Sequence, residues 1–281
     1  ERQDFARLRG TGRDHGVGRG MGHFLRLEQR LRGWVGRGRT VANRLSPAKR
    51  RLLSRIGRGV WMATWMCAVG SAAAVLALRW IPPPTSSFIA QGWLSALWAG
   101  ERAAFRYDWT PMATISPHAA LAVIAAEDQR LPDHFGFDFV EIRNALEDQD
   151  EGRPLRGAST LSQQVAKNLF LWSGRDWIRK GLEAWFTVLL ELLWSKQRIL
   201  EVYLNIAEFG EYTFGAEAAS RRFFDKSAAQ LTAREAARLA AVLPNPRRYR
   251  VDRPSVYVLK RQRWIERQMR QLGDTAYLDR L

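Results

Sequence analysis

Side chains able to move a proton or hold an anion crowd into three stretches between residues 127 and 183. In the first, Glu127-Asp128-Gln129-Arg130-Leu131-Pro132-Asp133-His134-Phe135-Gly136, a carboxylate pair, an arginine and a histidine follow an apolar run. A carboxylate placed there suits general acid or base work. The same composition also describes a charged helix end entering a loop. The second stretch is Arg156-Gly157-Ala158-Ser159-Thr160-Leu161-Ser162-Gln163-Gln164-Val165-Ala166-Lys167-Asn168. A helix starting near Ser159 would set Ser159, Gln163 and Lys167 on one face and Leu161, Val165 and Leu169 on another. Hydroxyl, amide and ammonium donors beside a helix N-terminus suit an anion, above all a phosphate-bearing substrate. An ordinary amphipathic helix with a wet face is the alternative. The third stretch holds Arg175, Arg179, Lys180 and Glu183. Arg179 and Glu183 have the spacing of a helical ion pair in its less favourable order. Glu183 also borders Leu182, where a partly desolvated acid could position a cation or a metal-bound pyrophosphate.

The elements that must carry these groups read as helical. From Phe88 onward apolar residues recur mostly at helical spacing, and alternating strand patterns are scarce. Ser116 with Pro117 has the form of an N-cap with proline at the first helical position, and predicts a helix to about Glu127. Thr232 and Glu235 spell a capping box, and Pro244 with Pro246 ends the helix it opens. Ile178, Leu182, Trp185, Phe186, Leu189 and Leu193 form one stripe of a long helix; Ile199, Tyr203 and Ile206 suggest the next. An all-α domain is the expectation, with no internal repeat.

The single cysteine, Cys67, excludes an internal disulfide framework and any cysteine-rich zinc site within one chain. Charge is unevenly spread: residues 1–58 hold 16 basic and 4 acidic side chains, against a whole-chain net charge of +16. Residues 59–78 carry no charged group, about the length needed to cross a ~30 Å hydrocarbon core. They read as one transmembrane helix. An uncleaved anchor fits better than a signal peptide, because the apolar run continues past the small residues Ser71 to Ala74. Basic residues before the span leave the tail, 1–58, in the cytoplasm, and residues 79–281 as a domain on the other side of the membrane. The tail reads as a solvated, disordered, membrane-orienting arm rather than an RNA-binding one, so no nucleic-acid partner is expected.

From about Pro82 to Pro254 the chain resembles the family 51 glycosyltransferases, the peptidoglycan transglycosylases, and most closely their monofunctional members. The family's EDxxFxxHxG appears as Glu127 to Gly136, its RGxSTLTQQLxKN as Arg156 to Asn168, and its RKxxE as Arg179-Lys180-Gly181-Leu182-Glu183. KxxILExYLNxxxxG appears as Lys196 through Gly210, and Gly215, Ala219, Arg222, Phe223 and Phe224 resemble a fifth motif. Leu131 stands where the family usually has phenylalanine and Ser162 where it usually has threonine. Both keep the chemical character.

The resemblance implies a mostly α, lysozyme-like glycosyltransferase domain behind a single transmembrane helix. It implies transfer of a growing glycan from undecaprenyl pyrophosphate to the 4-hydroxyl of lipid II, with inversion at C1. Glu127 and Glu183 are its catalytic residues by this implication: Glu127 as general base, Glu183 steadying the pyrophosphate region. Lys167 and Arg175 fall at donor-site positions with Arg179 and Lys180 flanking. Ser159, Gln163 and Gln164 would orient sugar or phosphate, and Asp128, His134, Thr160 and Asn168 are carried over as further substrate contacts. No organic cofactor is implied. A divalent cation, Mg2+ or Mn2+, at Glu183 rests on the family alone, since His15, His23, His118 and His134 have no metal-ligand spacing. Phe135, Phe137, Phe139 and Val140 resemble part of a membrane-dipping segment, although core is an equal reading. About 27 residues follow Pro254. Transpeptidases, with division or elongation proteins, are therefore expected as partners for cross-linking. A glycan hydrolase and a non-catalytic membrane scaffold are the rival classes. The basic cluster argues against the hydrolase, whose uncharged leaving group would not need it.

Overall fold

The computed structural model describes residues 47–100, 104–150, 159–174 and 176–281. Residues 1–46 of the expected tail, residues 156–158 and Arg175 lie outside the described residues. The chain divides into two compact units, Glu1–Ala68 and Val69–Leu281.

The first unit contributes the opening of α1 (Pro47–Ala77). Within this helix Arg51–Ala77, 27 residues with a mean hydropathy of 1.7, is long and apolar enough to cross a membrane, and its most apolar window is only 6% buried. At 1.5 Å per residue it spans about 40 Å. The helix begins well before the apolar run at residue 59. Pro47 suits a first helical turn, and the Lys, Arg and Leu residues that follow are good helix formers. A charge ends a hydrocarbon span without ending helical hydrogen bonding, so the two boundaries differ.

The second unit is built on α3 (Pro117–Glu127), where every residue from Ala119 to Ala125 is buried. A helix apolar on all sides must be surrounded. Around it pack α7 (Lys196–Ile206), α9 (Ala233–Val242), α10 (Val256–Gln271) and a 3-10 turn over Asp274–Arg280. Alanines on both partners, Ala119, Ala122 and Ala125 of α3 and Ala236, Ala237, Ala240 and Ala241 of α9, are buried and leave room for close approach. Both expected caps are present. Ser116 accepts from the His118 N–H and donates to the Leu231 carbonyl at 2.7 Å, while Thr232 and Glu235 form a capping box.

The other α-helices among the described residues are α2 (Ser87–Trp98), α4 (Phe139–Asp150), α5 (Leu161–Phe170), α6 (Trp177–Leu193) and α8 (Ala216–Phe224); α5 packs on α6 and α7. Among the described residues, strand content is confined to β1 (Arg106–Tyr107), β2 (Glu208–Gly210) and β3 (Thr213–Phe214), in the order β1-β3-β2. The first pair is parallel and the second antiparallel. Gly215 follows β3 at φ +89°, and a Cβ there would stand 2.7 Å from the Asn205 carbonyl oxygen. Only glycine lets α8 begin so close to the end of α7.

The expected stripe on α6 divides. Leu189 is buried, but Ile178 is 74% exposed and Leu182 and Trp185 also lie at the surface. The inward row of the helix's first half is polar instead: Arg179, Glu183 and Thr187, spaced by four residues. From the middle of the helix and from its C-cap, indole N–H groups of Trp185 and Trp194 donate to Ser71 Oγ and to the Val75 carbonyl of α1's last turns.

Candidate active site

Glu127 is the last residue of the buried helix α3, so its carboxylate is delivered at the edge of the core with a side chain 16% exposed. Oε2 accepts from Gln164 Nε2 at 3.1 Å, and Oε1 from Arg261 Nη2 at 3.4 Å. Burial pushes this carboxyl above the usual range; the Gln164 hydrogen bond and the charges of Arg261 and Lys167 pull it back. Gln164 is itself held from behind by the Tyr203 hydroxyl, which donates to its Oε1 at 3.1 Å.

Asp128 turns the other way. It accepts from His134 Nε2 at 2.9 Å and from the Leu161 N–H at 2.9 Å, and all three groups are buried or nearly so. The pair therefore ties the end of α3 to the start of α5. In this position Asp128 and His134 hold neighbouring backbone together, with their paired atoms buried. The same strap continues through Thr160, whose hydroxyl donates to the Gly136 carbonyl at 2.7 Å. Lys196 donates to the His134 carbonyl and to Glu191, both at 2.7 Å, and Ser162 also donates to Glu191. Gly136 has φ +77°, and a Cβ would meet Thr187 Cγ2 at 2.7 Å, which explains why the 134–136 turn can lie directly on α6.

The polar stripe expected from Ser159 is corrected by the caps. The N-cap is Thr160, so α5 starts at Leu161, and Ser159 is an exposed residue ahead of it. Gln163 is spent on the capping box, its Oε1 accepting from the Thr160 N–H at 3.0 Å. Gln164 and Lys167, one turn apart, are the α5 side chains that face Glu127. Asn168 is half-buried.

Lys167 is half-buried with its Nζ 5.7 Å from the Phe88 ring centroid. Burial holds its ammonium below the usual lysine range; Glu183 pulls it back up, while Arg179 and Lys180 push it further down. Glu183 is the buried hub of that cluster. Oε2 accepts from Arg179 Nη1 at 2.7 Å and Oε1 from Lys180 Nζ at 2.5 Å, with the Glu183 side chain 4% exposed. Sequence spacing alone would value the Arg179 pair at a few tenths of a kcal/mol on a solvated helix. Its burial instead fixes the Arg179 guanidinium in place, and with Lys180 on the other Glu183 oxygen the three-residue cluster keeps one net positive charge.

The donor set does not fit a resident divalent ion. Both Glu183 oxygens are taken by cations, and among the described residues no three His, Cys, Asp or Glu side chains converge. Buried polar atoms without a hydrogen-bond partner do gather nearby: Asn168 Oδ1, Arg179 Nε and Arg261 Nε. Each such atom costs about 1–3 kcal/mol unless something supplies the missing partner. An anionic ligand would accept from the two arginine Nε–H groups, and a hydroxyl on it would donate to Asn168 Oδ1.

Arg261 lies outside every motif, and Tyr203 stands in the fourth with no role attached to its hydroxyl. Arg261 belongs to a helix crowded with basic residues, and only its place beside the buried stripe Val258, Gln262, Ile265 and Met269 separates it from the others. Tyr203 sits in the expected apolar stripe, where its ring packs in the core and its buried hydroxyl reaches the Gln164 amide. The arrangement can accept a proton at Glu127 while holding negative charge on the Lys167, Arg179 and Lys180 side.

Residues 96–270 match the family model described as Transglycosylase. A protein of Pseudomonas entomophila (strain L48) named biosynthetic peptidoglycan transglycosylase is 52% identical over 230 residues, covering 82% of this chain and 98% of that one. Proteins of the same name from Chromohalobacter salexigens and Xanthomonas campestris pv. campestris (strain B100) are 54% identical over 211 residues and 52% over 222. These matches cover 75% and 79% of this chain, and 90% of each relative.

Proposed function

The chain belongs to the transglycosylase family, and from that premise we propose that it polymerises peptidoglycan glycan from a lipid II-type substrate with Glu127 as the base. The acceptor's 4-hydroxyl gives its proton to a Glu127 carboxylate oxygen as that hydroxyl oxygen attacks C1 of the lipid-linked donor. The C1–O bond to phosphate breaks, the electron pair leaves with undecaprenyl pyrophosphate, and attack from the opposite face inverts C1. Burial favours proton uptake by Glu127, while Gln164 and Arg261 keep it ionised enough to receive one.

The observation that carries this reading is the pairing of one desolvated carboxylate with a cation cluster built around a buried Glu183. Pyrophosphate is a good leaving group and needs its developing charge absorbed more than it needs a proton. Lys167, Arg179 and Lys180 would supply that, together with Arg175. Glu183 holds Arg179 and Lys180 in place and keeps the cluster from repelling itself.

Both substrates are lipid-borne, so a chain tied to the same bilayer meets them at raised effective concentration. The basic side chains before α1's apolar run support a cytoplasmic N-terminus and a catalytic unit on the far side of the inner membrane. Side chains such as Phe139, Trp177 and Ile178, 75%, 92% and 74% exposed, would rest on lipid. Transpeptidases and division or elongation proteins are the partners this activity would need to incorporate the product.

Purified full chain given labelled lipid II tests the reading. It should extend glycan, lose that activity in Glu127→Gln, and keep it after treatment with a chelator. Shortening of preformed glycan would indicate a hydrolase, indifference to Glu127→Gln a scaffold, and loss on chelation a metal that the residues here do not explain.

A further inference from the structure

A glutamine side chain beside a carboxylate can present either its N–H or its carbonyl oxygen, by a half-turn of the amide. Which end faces Glu127 decides whether Gln164 supports the ionised carboxylate or opposes it. On the opposite side of the amide stands the Tyr203 hydroxyl, on a side chain only 2% exposed in the middle of α7. Its distance to Gln164 Oε1 is 3.1 Å, equal to the distance from Gln164 Nε2 to Glu127 Oε2.

We infer that Tyr203 is a positioning residue: its hydroxyl locks the Gln164 amide with the N–H toward Glu127 and so maintains the carboxylate as a base. The inference rests on the reading of Glu127 as that base. A carbonyl oxygen only accepts, so Tyr203 must donate to Oε1. Turning the amide over would aim Oε1 at the Glu127 carboxylate, two acceptors with no proton between them. It would also make Nε2 the donor to Tyr203 and leave the phenolic proton without an acceptor in a fully buried position. An ionised Glu127 and the tyrosine therefore select the same amide orientation.

A protonated Glu127 could donate to a turned-over Oε1, but only by orphaning the tyrosine proton. Tyr203 thus penalises the amide state that suits the spent, protonated acid and favours the state that suits the base. The other groups facing Glu127 act alongside this relay. Arg261 of α10 reaches Oε1, Lys167 of α5 lies within electrostatic range, and Asp128 turns away to His134. The Ser159 carbonyl also accepts from Gln164 Nε2, at the long distance of 3.5 Å, and favours the same orientation, whereas neither cation hydrogen-bonds the amide among the described residues.

The test uses the full chain in detergent with two readouts: the pH dependence of kcat/KM for lipid II polymerisation, and titration of Glu127 by its carboxyl infrared band, identified by subtraction of Glu127→Gln. Tyr203→Phe, which removes one oxygen from a filled site, should move the acid limb and the band's midpoint upward by about 0.5–1 pH unit, the value of one lost hydrogen bond. Gln164→Met should produce at least that shift, and adding Tyr203→Phe to it should produce no more, because the tyrosine acts through the amide. A uniform fall in rate with unmoved limb and band would overturn the inference and leave Tyr203 a packing residue, as would additive shifts in the double variant. If Tyr203→Phe does not fold, 3-fluorotyrosine inserted at 203 strengthens the donor and should move both readouts downward; no movement overturns the inference. Polymerisation by Glu127→Gln would end the reading of Glu127 as base, whereas the infrared shift in Tyr203→Phe reports the positioning separately.

Discussion

Replacing Arg261 by glutamine removes the one cation hydrogen-bonded to Glu127 among the described residues, and the consequence can be sized. Nη2 and Oε1 are 3.4 Å apart. Coulomb's law at an effective dielectric of about 20 gives about 5 kcal/mol for unit charges at that separation. The side chains are 24% and 16% exposed, and the contact is long, so solvent screening leaves about 1–2 kcal/mol. That corresponds to roughly one pH unit. The sign follows from the charge: losing a cation makes ionisation of Glu127 harder, and its titration, already raised by burial, moves up again. Initial rates of polymerisation measured across the acid limb should show Arg261→Gln losing about tenfold in kcat/KM below the limb and recovering toward the native rate above it. Arg261→Lys should fall between the two. An unmoved acid limb, or an equal loss at every pH, would refute the electrostatic role assigned to this arginine.

Other consequences are as direct. Because the folded protein holds Glu127 above its unfolded value, that group's contribution to stability is present at low pH and lost as pH rises through the folded value. Glu127→Gln should therefore melt higher than native at neutral pH, by about 2–4 °C per kcal/mol recovered, with the gap closing in acid. Lys167→Met should lower kcat/KM about a hundred- to a thousandfold, the usual loss for one preorganised charge at a leaving group. Its ammonium is held below the usual lysine range, so Lys167→Arg should retain activity at alkaline pH where the native rate declines. Gly215→Ala combines a positive φ with a backbone clash, and should cost about 3 kcal/mol, read as a melting temperature lower by roughly 6–12 °C.

Features set by neighbours along the chain were legible in the sequence. Ser116-Pro117 and the Thr232–Glu235 box open helices where expected because a cap is a contest among adjacent hydrogen-bonding groups. The start of α5 was misplaced by two residues for the same kind of reason: Ser159 and Thr160 both spell a cap, and only Gln163 reaching back to the Thr160 N–H decides between them. The α6 stripe misled because apolar periodicity presumes that the apolar face is the inner one. Here Arg179 and Glu183 occupy the inner face, where they neutralise one another, and Ile178 and Trp177 are left outside. Arg261 was out of reach, lying 134 positions from Glu127 along the chain and brought to it by the packing of α10 on α3. The relay through Tyr203 needed both an atom-level donor and a long-range contact. A pattern of residue types encodes neither.

The central claim, one base working beside a fixed positive cluster, is met most directly by separating binding from turnover in Glu127→Gln. Lipid II binding to the full chain and release of undecaprenyl pyrophosphate would be measured on the same preparation. The account predicts binding within a few-fold of native with diphosphate release at least about a thousandfold slower. Release within tenfold of the native rate, with binding intact, would contradict it.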